Sequence, residues 1–207
     1  MESSAPEMIP EVIANRIAVE LGQTGLSVCA GFLSETARLE LRADLDSVHA
    51  AGSFHRAATG RGDGKQIQES VRRDEVYWLE RSMGVPAQIA LWARLDQLRQ
   101  ALNRQLYLGL QSFEGHYAVY PPAGFYRRHL DTFRGDPGRV VSLVLYLNDQ
   151  WSEGDRGELR IYAPEGSHRD IPPVGGTLVC FLSQESEHEV LASTRPRASF
   201  TGWFKIR

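Results

Sequence analysis

The chain has 207 residues, 42% hydrophobic and 24% charged, which is the composition of a folded globular protein and the length of one or two domains. No stretch approaches the roughly 18 consecutive apolar residues that a membrane span needs. The net charge of -3 provides no general attraction to nucleic acid. We therefore expect one domain over residues 1–207 that binds neither membranes nor nucleic acid.

The start of the chain and its two cysteines favour an intracellular location. Three glutamates precede the first arginine, and no compact apolar block follows, which is unlike a secretory signal. Cys29 and Cys180 both lie within apolar segments, as the reduced thiols of a protein core do. We expect a cytoplasmic protein that acts as a monomer.

Three helices are predicted in the first half of the chain, residues 1–112, which we expect to support the rest. Pro10 opens a helix that closes at Gly22, and Ser34 caps a second helix over residues 35–51. Pro86 opens the third, whose apolar residues recur at three- and four-residue spacing: Ile89, Trp92, Leu95, Leu98, Leu102 and Leu106. A helix with one apolar stripe buries that stripe against another element, and we expect this element to be a sheet.

The segment between the second and third helices, residues 55–75, is predicted to be a mobile surface loop. It combines Gly60, Gly62 and Gly64 with many charges and precedes a strand-like stretch at residues 76–80. The glycines lack the strand-turn-helix context of a phosphate-binding loop, which argues against nucleotide binding.

Short strand-like segments follow one another from residue 113 to residue 207. They lie at residues 115–120, 126–131, 140–148, 158–162, 177–182, 189–192 and 198–206. Their connections are too short for parallel crossovers. The sequence therefore predicts a mainly β protein, an antiparallel double sheet of the jelly-roll type, with the N-terminal helices packed on one face.

His129, Asp131 and His188 form a candidate metal site. His129 and Asp131 are two apart on a predicted strand, so their side chains leave the same face, and His188 lies near the start of another strand. Two imidazoles and one carboxylate form the ligand set of non-haem Fe(II) oxygenases. A closed zinc site would need a fourth ligand or thiols, and neither cysteine has suitable spacing. A hydrogen-bonded surface pair is the alternative for His129 and Asp131.

Arg197, nine residues after His188, is a candidate anchor for a carboxylate cosubstrate. A buried guanidinium binds a carboxylate through two parallel hydrogen bonds. Arg197, Ser199, Thr201 and Trp203 share one strand face, and the Tyr146 hydroxyl can reach the same carboxylate. Spacing alone does not separate Arg197 from Arg195, and a surface charge is the alternative for Arg197.

Several motifs of the second half, and one before it, resemble those of a known family. They are Tyr120-Pro121, YRRHLD at 126–131, YLN at 146–148, GELRI at 157–161, HEV at 188–190, residues 197–204, and RDEVYWLE at 73–80. This set resembles the 2-oxoglutarate- and Fe(II)-dependent oxygenases, specifically the prolyl hydroxylases of hypoxia-inducible factor and their bacterial relatives. The resemblance covers about two thirds of the chain and implies a double-stranded β-helix of the cupin-like type.

The resemblance also implies residue roles. His129, Asp131 and His188 match the iron ligands, and Arg197 matches the arginine that pairs with the distal carboxylate of 2-oxoglutarate, which leaves Arg195 a bystander. The other implied pocket residues are Tyr120, Tyr146, Leu159, Val190, Thr201 and Trp203. The stretch from Tyr120 to His129 is one residue shorter than in the animal enzymes. Candidate substrate contacts are Arg72, Arg73, Arg128 and Trp203, and residues 55–75 match the loop that closes over the peptide.

By resemblance, the chain is a 2-oxoglutarate-dependent dioxygenase that hydroxylates a prolyl residue of a protein, with an elongation factor of the Tu type as the candidate target. Fe(II), 2-oxoglutarate and O2 are the implied cofactors and cosubstrates, with ascorbate as a further candidate and a role in oxygen sensing left open. Two alternatives remain: hydroxylation of a free amino acid or other small molecule on the same fold, and a non-catalytic module that senses 2-oxoglutarate or oxygen. His116 shares strand parity with Tyr120 and is either a pocket residue or a core histidine.

Overall fold

The computed structural model describes residues 8–58, 66–132 and 138–206, and three α-helices and eleven β-strands lie within them. The helices are α1 (Glu11–Thr24), α2 (Glu35–Ala50) and α3 (Pro86–Leu106). The strands are β1 (Leu26–Cys29), β2 (His55–Arg56), β3 (Glu75–Trp78), β4 (Ser112–Tyr120), β5 (Tyr126–His129), β6 (Arg139–Tyr146), β7 (Leu159–Tyr162), β8 (His168–Ile171), β9 (Leu178–Leu182), β10 (His188–Val190) and β11 (Arg197–Lys205). None of the helices in these ranges is long and apolar enough to cross a membrane.

The strands form two antiparallel sheets. The larger sheet has seven strands in the order β1-β9-β6-β11-β4-β3-β2, and the smaller has four in the order β5-β10-β7-β8. β11 lies between β4 and β6, where Arg197 is opposite Tyr120, and Ser199 is opposite Tyr146. The predicted antiparallel double sheet is confirmed, and its central strand carries the candidate arginine.

Local sequence signals explain where the helices begin and end. The Ser34 side chain accepts a hydrogen bond from the backbone N–H of Ala37 and caps α2. The predicted end of α1 at Gly22 is wrong, because the helix continues to Gly25, whose φ of 72° is the left-handed conformation that closes a helix. Gly22 instead lies against α3, where a Cβ would be 2.7 Å from the Leu106 side chain.

Two apolar cores lie on opposite faces of the larger sheet. The helix-side core joins the three helices to one face and includes Leu95, Leu143, Phe200 and Phe204. The inter-sheet core is smaller and fills the space between the sheets. The predicted packing of helices on one face is confirmed, except that Ile89 is 53% exposed and does not belong to the buried stripe of α3.

The segment predicted as a mobile loop contains more regular structure than its composition suggests. Residues 59–65, with the three glycines, lie outside the described residues. Before them, β2 pairs with β3, and after them the backbone bonds to the region around β5, through Arg73 N–H to the Phe125 carbonyl and Arg127 N–H to the Val71 carbonyl. Residues 66–74 therefore lie beside the candidate metal ligands.

Candidate active site

A cavity of about 810 Å3 lies between the two sheets. Its walls come from β4, β6 and β11 of the larger sheet and from β5, β7 and β10 of the smaller one. Nine of the ten residues predicted to bind metal or cosubstrate line it: Tyr120, His129, Asp131, Leu159, His188, Val190, Arg197, Thr201 and Trp203. The tenth, Tyr146, is fully buried beside them.

His129, Asp131 and His188 come together at one end of this cavity. Each offers one ligand atom, and the three atoms lie within 4.8 Å of one another. The Nε2 atoms of both histidines are 3.6 Å from carboxylate oxygens of Asp131. β5 ends at His129, so the predicted strand to Asp131 is two residues too long, but Asp131 still reaches the site from just beyond the strand. The arrangement can hold one divalent cation.

An irregularity in β5 gives His129 its position. His188 is opposite His129 and Val190 is opposite Tyr126, so three steps along β5 match two steps along β10. Such a bulge inserts one extra residue into one strand, so side chains three residues apart in that strand can point to the same face. Tyr126 and His129 therefore both line the cavity, whereas Arg128 between them forms an exposed ion pair with Glu187.

Backbone carbonyls fix the proton on the far side of each imidazole. Nδ1 of His129 is 2.7 Å from the Arg127 carbonyl, and Nδ1 of His188 is 3.0 Å from the Ser186 carbonyl. Because a carbonyl only accepts hydrogen bonds, both Nδ1 atoms carry a proton, which leaves Nε2 as the ligand nitrogen of each ring. Outer hydrogen bonds of this kind orient metal-binding histidines.

Burial sets the charge of the site. It lowers the pKa of His188 to about 4, so this imidazole is neutral at pH 7, as a metal ligand must be. Burial alone would raise the pKa of Asp131. The neighbouring His188 and His129 rings and the Ser142 hydroxyl outweigh that effect and hold this pKa below its usual range. The site therefore offers the anionic carboxylate of Asp131 and the neutral imidazole of His188 beside Nε2 of His129.

Arg197 lies deep in the cavity and is 1% exposed. Its Nε donates a 3.1 Å hydrogen bond to the Gly157 carbonyl, and its guanidinium carbon is 5.1 Å from the ring centres of both Tyr120 and Tyr146. Gly157 has a φ of 80°, and a Cβ there would be 2.8 Å from the Ser193 Cβ, so only glycine allows this close approach. The backbone thus aims Arg197 into the site.

Buried polar atoms without a partner mark the place where a ligand belongs. Nη2 of Arg197 and the hydroxyls of Tyr146 and Ser199 are buried and have no hydrogen-bond partner among the described residues. Leaving such atoms unpaired is unfavourable, and a carboxylate is the kind of ligand that accepts hydrogen bonds from a guanidinium and from hydroxyls. Arg195, by contrast, is 41% exposed and bonds the Gln150 carbonyl, which agrees with the prediction that it is a bystander.

Ser199 is a fully buried polar residue on the Arg197 face of β11, next to the cavity-lining residues, and sequence reasoning gave it no role. It shares the face of Arg197 by strand alternation, but the resemblance assigned nothing to it. Its fully buried hydroxyl, opposite Tyr146 in the sheet, was the missing observation. The sequence signal for Ser199 is a polar side chain two residues from Arg197 on the same strand face.

Two of the four candidate substrate contacts line the cavity, and two do not. Arg72 and Trp203 line the cavity, although Arg72 also forms an ion pair with the buried Asp74. Arg73 and Arg128 are not among the cavity-lining residues. His116 lines the cavity between Trp78 and Trp203, and burial lowers its pKa to about 4.

Comparisons with known proteins agree with this geometry. The sequence model of the 2OG-Fe(II) oxygenase superfamily matches residues 115–205. A Pseudomonas putida prolyl-4-hydroxylase is 41% identical in sequence and superposes with a TM-score of 0.86 over 94% of this chain and 99% of its own. A Trichoplax adhaerens prolyl hydroxylase, solved with a peptide of the hypoxia-inducible factor oxygen degradation domain, is 25% identical, with a TM-score of 0.84 over 94% of this chain and 90% of its own.

Human Egl nine homolog 1 is 28% identical in an alignment of 200 positions that covers 89% of this chain. The matched region is 44% of the human protein, so the chain spans less than half of that relative. The solved neighbours have the double-stranded β-helix fold, which confirms the expected architecture.

The described residues fit the two groups from which the superfamily takes its name. Two imidazoles and a carboxylate suit Fe(II), and a buried arginine with an unpaired nitrogen suits the far carboxylate of 2-oxoglutarate. The fold, the ligand set and the 41% identity over nearly the whole length of a solved relative lead to one conclusion. The chain belongs to the prolyl hydroxylases of the 2OG-Fe(II) oxygenase superfamily.

Proposed function

We propose that the chain hydroxylates a prolyl residue in a protein substrate, consuming 2-oxoglutarate and O2 and releasing succinate and carbon dioxide. One observation carries the proposal: the unpaired nitrogen of buried Arg197 and the His129–Asp131–His188 cluster belong to the same cavity. A carboxylate anchor and a cation site in one cavity suit a cosubstrate that binds both. Fe(II) and 2-oxoglutarate, when bound, supply the power to oxidise a carbon–hydrogen bond.

The protein's own residues bind the metal and orient the cosubstrate. His129, Asp131 and His188 would hold Fe(II) through two imidazole nitrogens and one carboxylate. Arg197 and the Tyr146 hydroxyl hold the distal carboxylate, and Thr201 lies on the same face of β11. Positioning by a guanidinium fork fixes both the place and the direction of the cosubstrate.

Apolar side chains keep water from the middle of the cavity. Leu159 and Val190 on the smaller sheet face Val144 on the larger one, and all three belong to the inter-sheet core while lining the cavity. A dry wall strengthens the ion pair of Arg197 with a carboxylate and limits side reactions of an activated oxidant.

The outer part of the cavity favours a peptide over a small molecule. It is lined by Trp78, which is 42% exposed, and by His55, Leu130, Arg139 and Lys205. This mixture of aromatic, apolar and basic side chains suits a peptide, which can meet several of them at once. The Trichoplax adhaerens relative was solved with such a peptide. An elongation factor of the Tu type is the first target to test, on the family resemblance.

Mass spectrometry of peptides tests the proposal. Proline-containing peptides of an elongation factor Tu-type protein, and a digest of the host proteome, are incubated with protein, Fe(II), 2-oxoglutarate and ascorbate under air. We expect one added oxygen on a specific proline and an equal amount of succinate. Both should vanish without 2-oxoglutarate and with Asp131→Ala, because this variant lacks the anionic ligand.

Two results would contradict the proposal. Oxygen added to free proline but to no peptide would show a small-molecule hydroxylase. Tight 2-oxoglutarate binding without turnover on any peptide or amino acid would show a sensing module. The Arg195→Ala variant, altered at an exposed site, serves as the matched control and should retain full turnover.

A further inference from the structure

Three side chains are stacked on the outer side of the metal cluster. The Tyr126 ring lies parallel to the His129 imidazole, with 3.5 Å between ring centres and 19° between planes. The Arg72 guanidinium carbon is 4.2 Å from the centre of the Tyr126 ring. Aromatic stacking and cation–π contact both favour this arrangement, so Arg72, Tyr126 and His129 form one continuous stack.

The outer end of the stack is held in place by a buried ion pair. Arg72 donates through Nε and Nη2 to the two carboxylate oxygens of Asp74, at 2.7 and 2.5 Å, and the Asp74 side chain is fully buried. Backbone bonds on both sides of Tyr126, from Arg127 N–H to the Val71 carbonyl and from Arg73 N–H to the Phe125 carbonyl, join the two segments. The stack is therefore fixed by its ion pair and by the backbone.

His129 needs such support more than His188 does. His188, the first residue of β10, lies beside Phe181, with a ring-centre distance of 4.6 Å, and its side chain is only 6% exposed. His129 is the last residue of β5, and its side chain is 16% exposed. One hydrogen bond from Nδ1 leaves its ring free to tilt, whereas a parallel ring against its face fixes the plane.

We propose that Tyr126, held by the Arg72–Asp74 ion pair, is a positioning residue that keeps the His129 imidazole in its metal-binding orientation. The proposal rests on the metal site of the proposed function and not on the identity of the substrate. It assigns Arg72 to the support of a ligand. The phenol oxygen of Tyr126 has no part in it, because the face of the ring makes the contact.

Metal binding without turnover tests this role. Co(II) is titrated into the full chain and followed by calorimetry and by its visible absorption, and unfolding temperatures are measured on the same metal-free samples. We expect Tyr126→Leu to bind Co(II) about tenfold more weakly, as loss of a contact behind a metal ligand typically does. Tyr126→Phe should bind like the wild type because it keeps the stack.

The smaller sheet offers a matched control. Tyr162 also carries an arginine on its face, with the Arg128 guanidinium carbon 3.9 Å from its ring centre, but its ring and hydroxyl contacts among the described residues are with Arg128, His168 and Glu189 rather than with a metal ligand. Tyr162→Leu should therefore leave Co(II) binding unchanged. A loss as large as that of Tyr126→Leu would overturn the proposal, because it would show a general effect of opening the sheet.

A second variant keeps the test decisive if Tyr126→Leu fails to fold. Arg72→Met combined with Asp74→Asn removes the ion pair without leaving a lone buried charge, and it leaves the two rings in place. We expect about threefold weaker Co(II) binding, since the outer cation no longer fixes the ring. Unchanged binding in this variant and in any folded Tyr126→Leu would overturn the proposal. A wild type that binds Co(II) tightly but modifies no peptide would refute only the hydroxylase function.

Discussion

The two faces of the larger sheet differ in what they bury. On the helix-side core, β11 contributes Ala198, Phe200 and Phe204, which pack among apolar side chains of the helices. On the cavity side the same strand contributes Arg197 and Ser199, which are buried just as completely. Alternation along one strand thus gives a dry apolar face and a polar face.

Unpaired polar atoms sharpen the contrast. Of the five buried side-chain atoms without a partner among the described residues, four lie between the sheets, on Tyr146, Arg197, Ser199 and Trp203. The fifth belongs to Trp92, in α3 on the other side. The helix side is stabilised by apolar packing, whereas the cavity side holds buried hydrogen-bonding groups that a bound ligand can pair. Substitutions on the two faces should therefore separate stability from binding.

The largest effect on stability is expected from Phe200→Ala, on the helix side. The Phe200 ring packs against Trp92, Phe113 and Tyr117, so its removal leaves a cavity that should cost about 3–5 kcal/mol in the free energy of unfolding. Urea denaturation measures this, with Tyr107→Ala, at a strongly exposed residue, as the control. The KM for 2-oxoglutarate of the folded protein should stay within about twofold. A larger change in KM would mean that the two faces are not independent.

On the cavity side, Arg197→Ala should mainly change the binding of 2-oxoglutarate. It removes the buried guanidinium, and we expect the KM for 2-oxoglutarate to rise about a hundredfold, since losing one partner of a buried charge pair costs about 2–5 kcal/mol. Succinate release at varied 2-oxoglutarate measures it. Arg195→Ala, two residues earlier and exposed, should change KM by less than about twofold. Equal effects of the two variants would reverse their assignment.

Much of the fold follows from the sequence, because its main elements have strong local signals. Pro86 and a three- to four-residue apolar period predict α3 with its correct start, and alternation finds β4, β6, β9 and β11. β8 was missed because three of its four residues are exposed and polar, so no alternation marks it. β2 was missed because it is two residues long and exists only through its pairing with β3.

The site was predicted in two steps of different kinds. Strand spacing brought His129 and Asp131 to one face, and the family resemblance separated Arg197 from Arg195. The bulge in β5 could not be predicted, since it depends on pairing with a strand some sixty residues later in the chain, so the stack of Tyr126 on His129 was invisible. Long-range register is the information that a single sequence lacks.

A titration of the unfolding free energy against pH tests whether a buried ionisable side chain on the cavity side, His116, makes stability depend on pH. Burial holds the pKa of His116 at about 4, against 6.5 for the free side chain, and the Arg72 charge contributes in the same direction. The unfolded chain therefore binds a proton first as the pH falls. The stability contributed by neutral His116 is fully present above pH 6.5 and is lost as the pH falls toward 4.

His116→Gln isolates this contribution, because His188 titrates in the same range in both proteins. Between pH 7.5 and pH 5, metal-free wild type should lose about 2 kcal/mol more unfolding free energy than the variant. Urea denaturation at each pH measures the difference. Parallel losses in the two proteins would show that His116 is already protonated, or solvated, in the folded state.

The smallest effect, and the one that tests the contrast most directly, is expected from Ser199→Ala. Its hydroxyl is buried without a partner among the described residues, so its removal should leave the ligand-free protein as stable or raise its unfolding free energy by up to about 1 kcal/mol. The same change should weaken 2-oxoglutarate binding about threefold to tenfold, since one hydrogen bond to a carboxylate is lost. Calorimetric titration of 2-oxoglutarate and thermal unfolding without it give the two quantities. A variant that is less stable without ligand and unchanged in 2-oxoglutarate affinity would show that Ser199 belongs to the core rather than to the binding site.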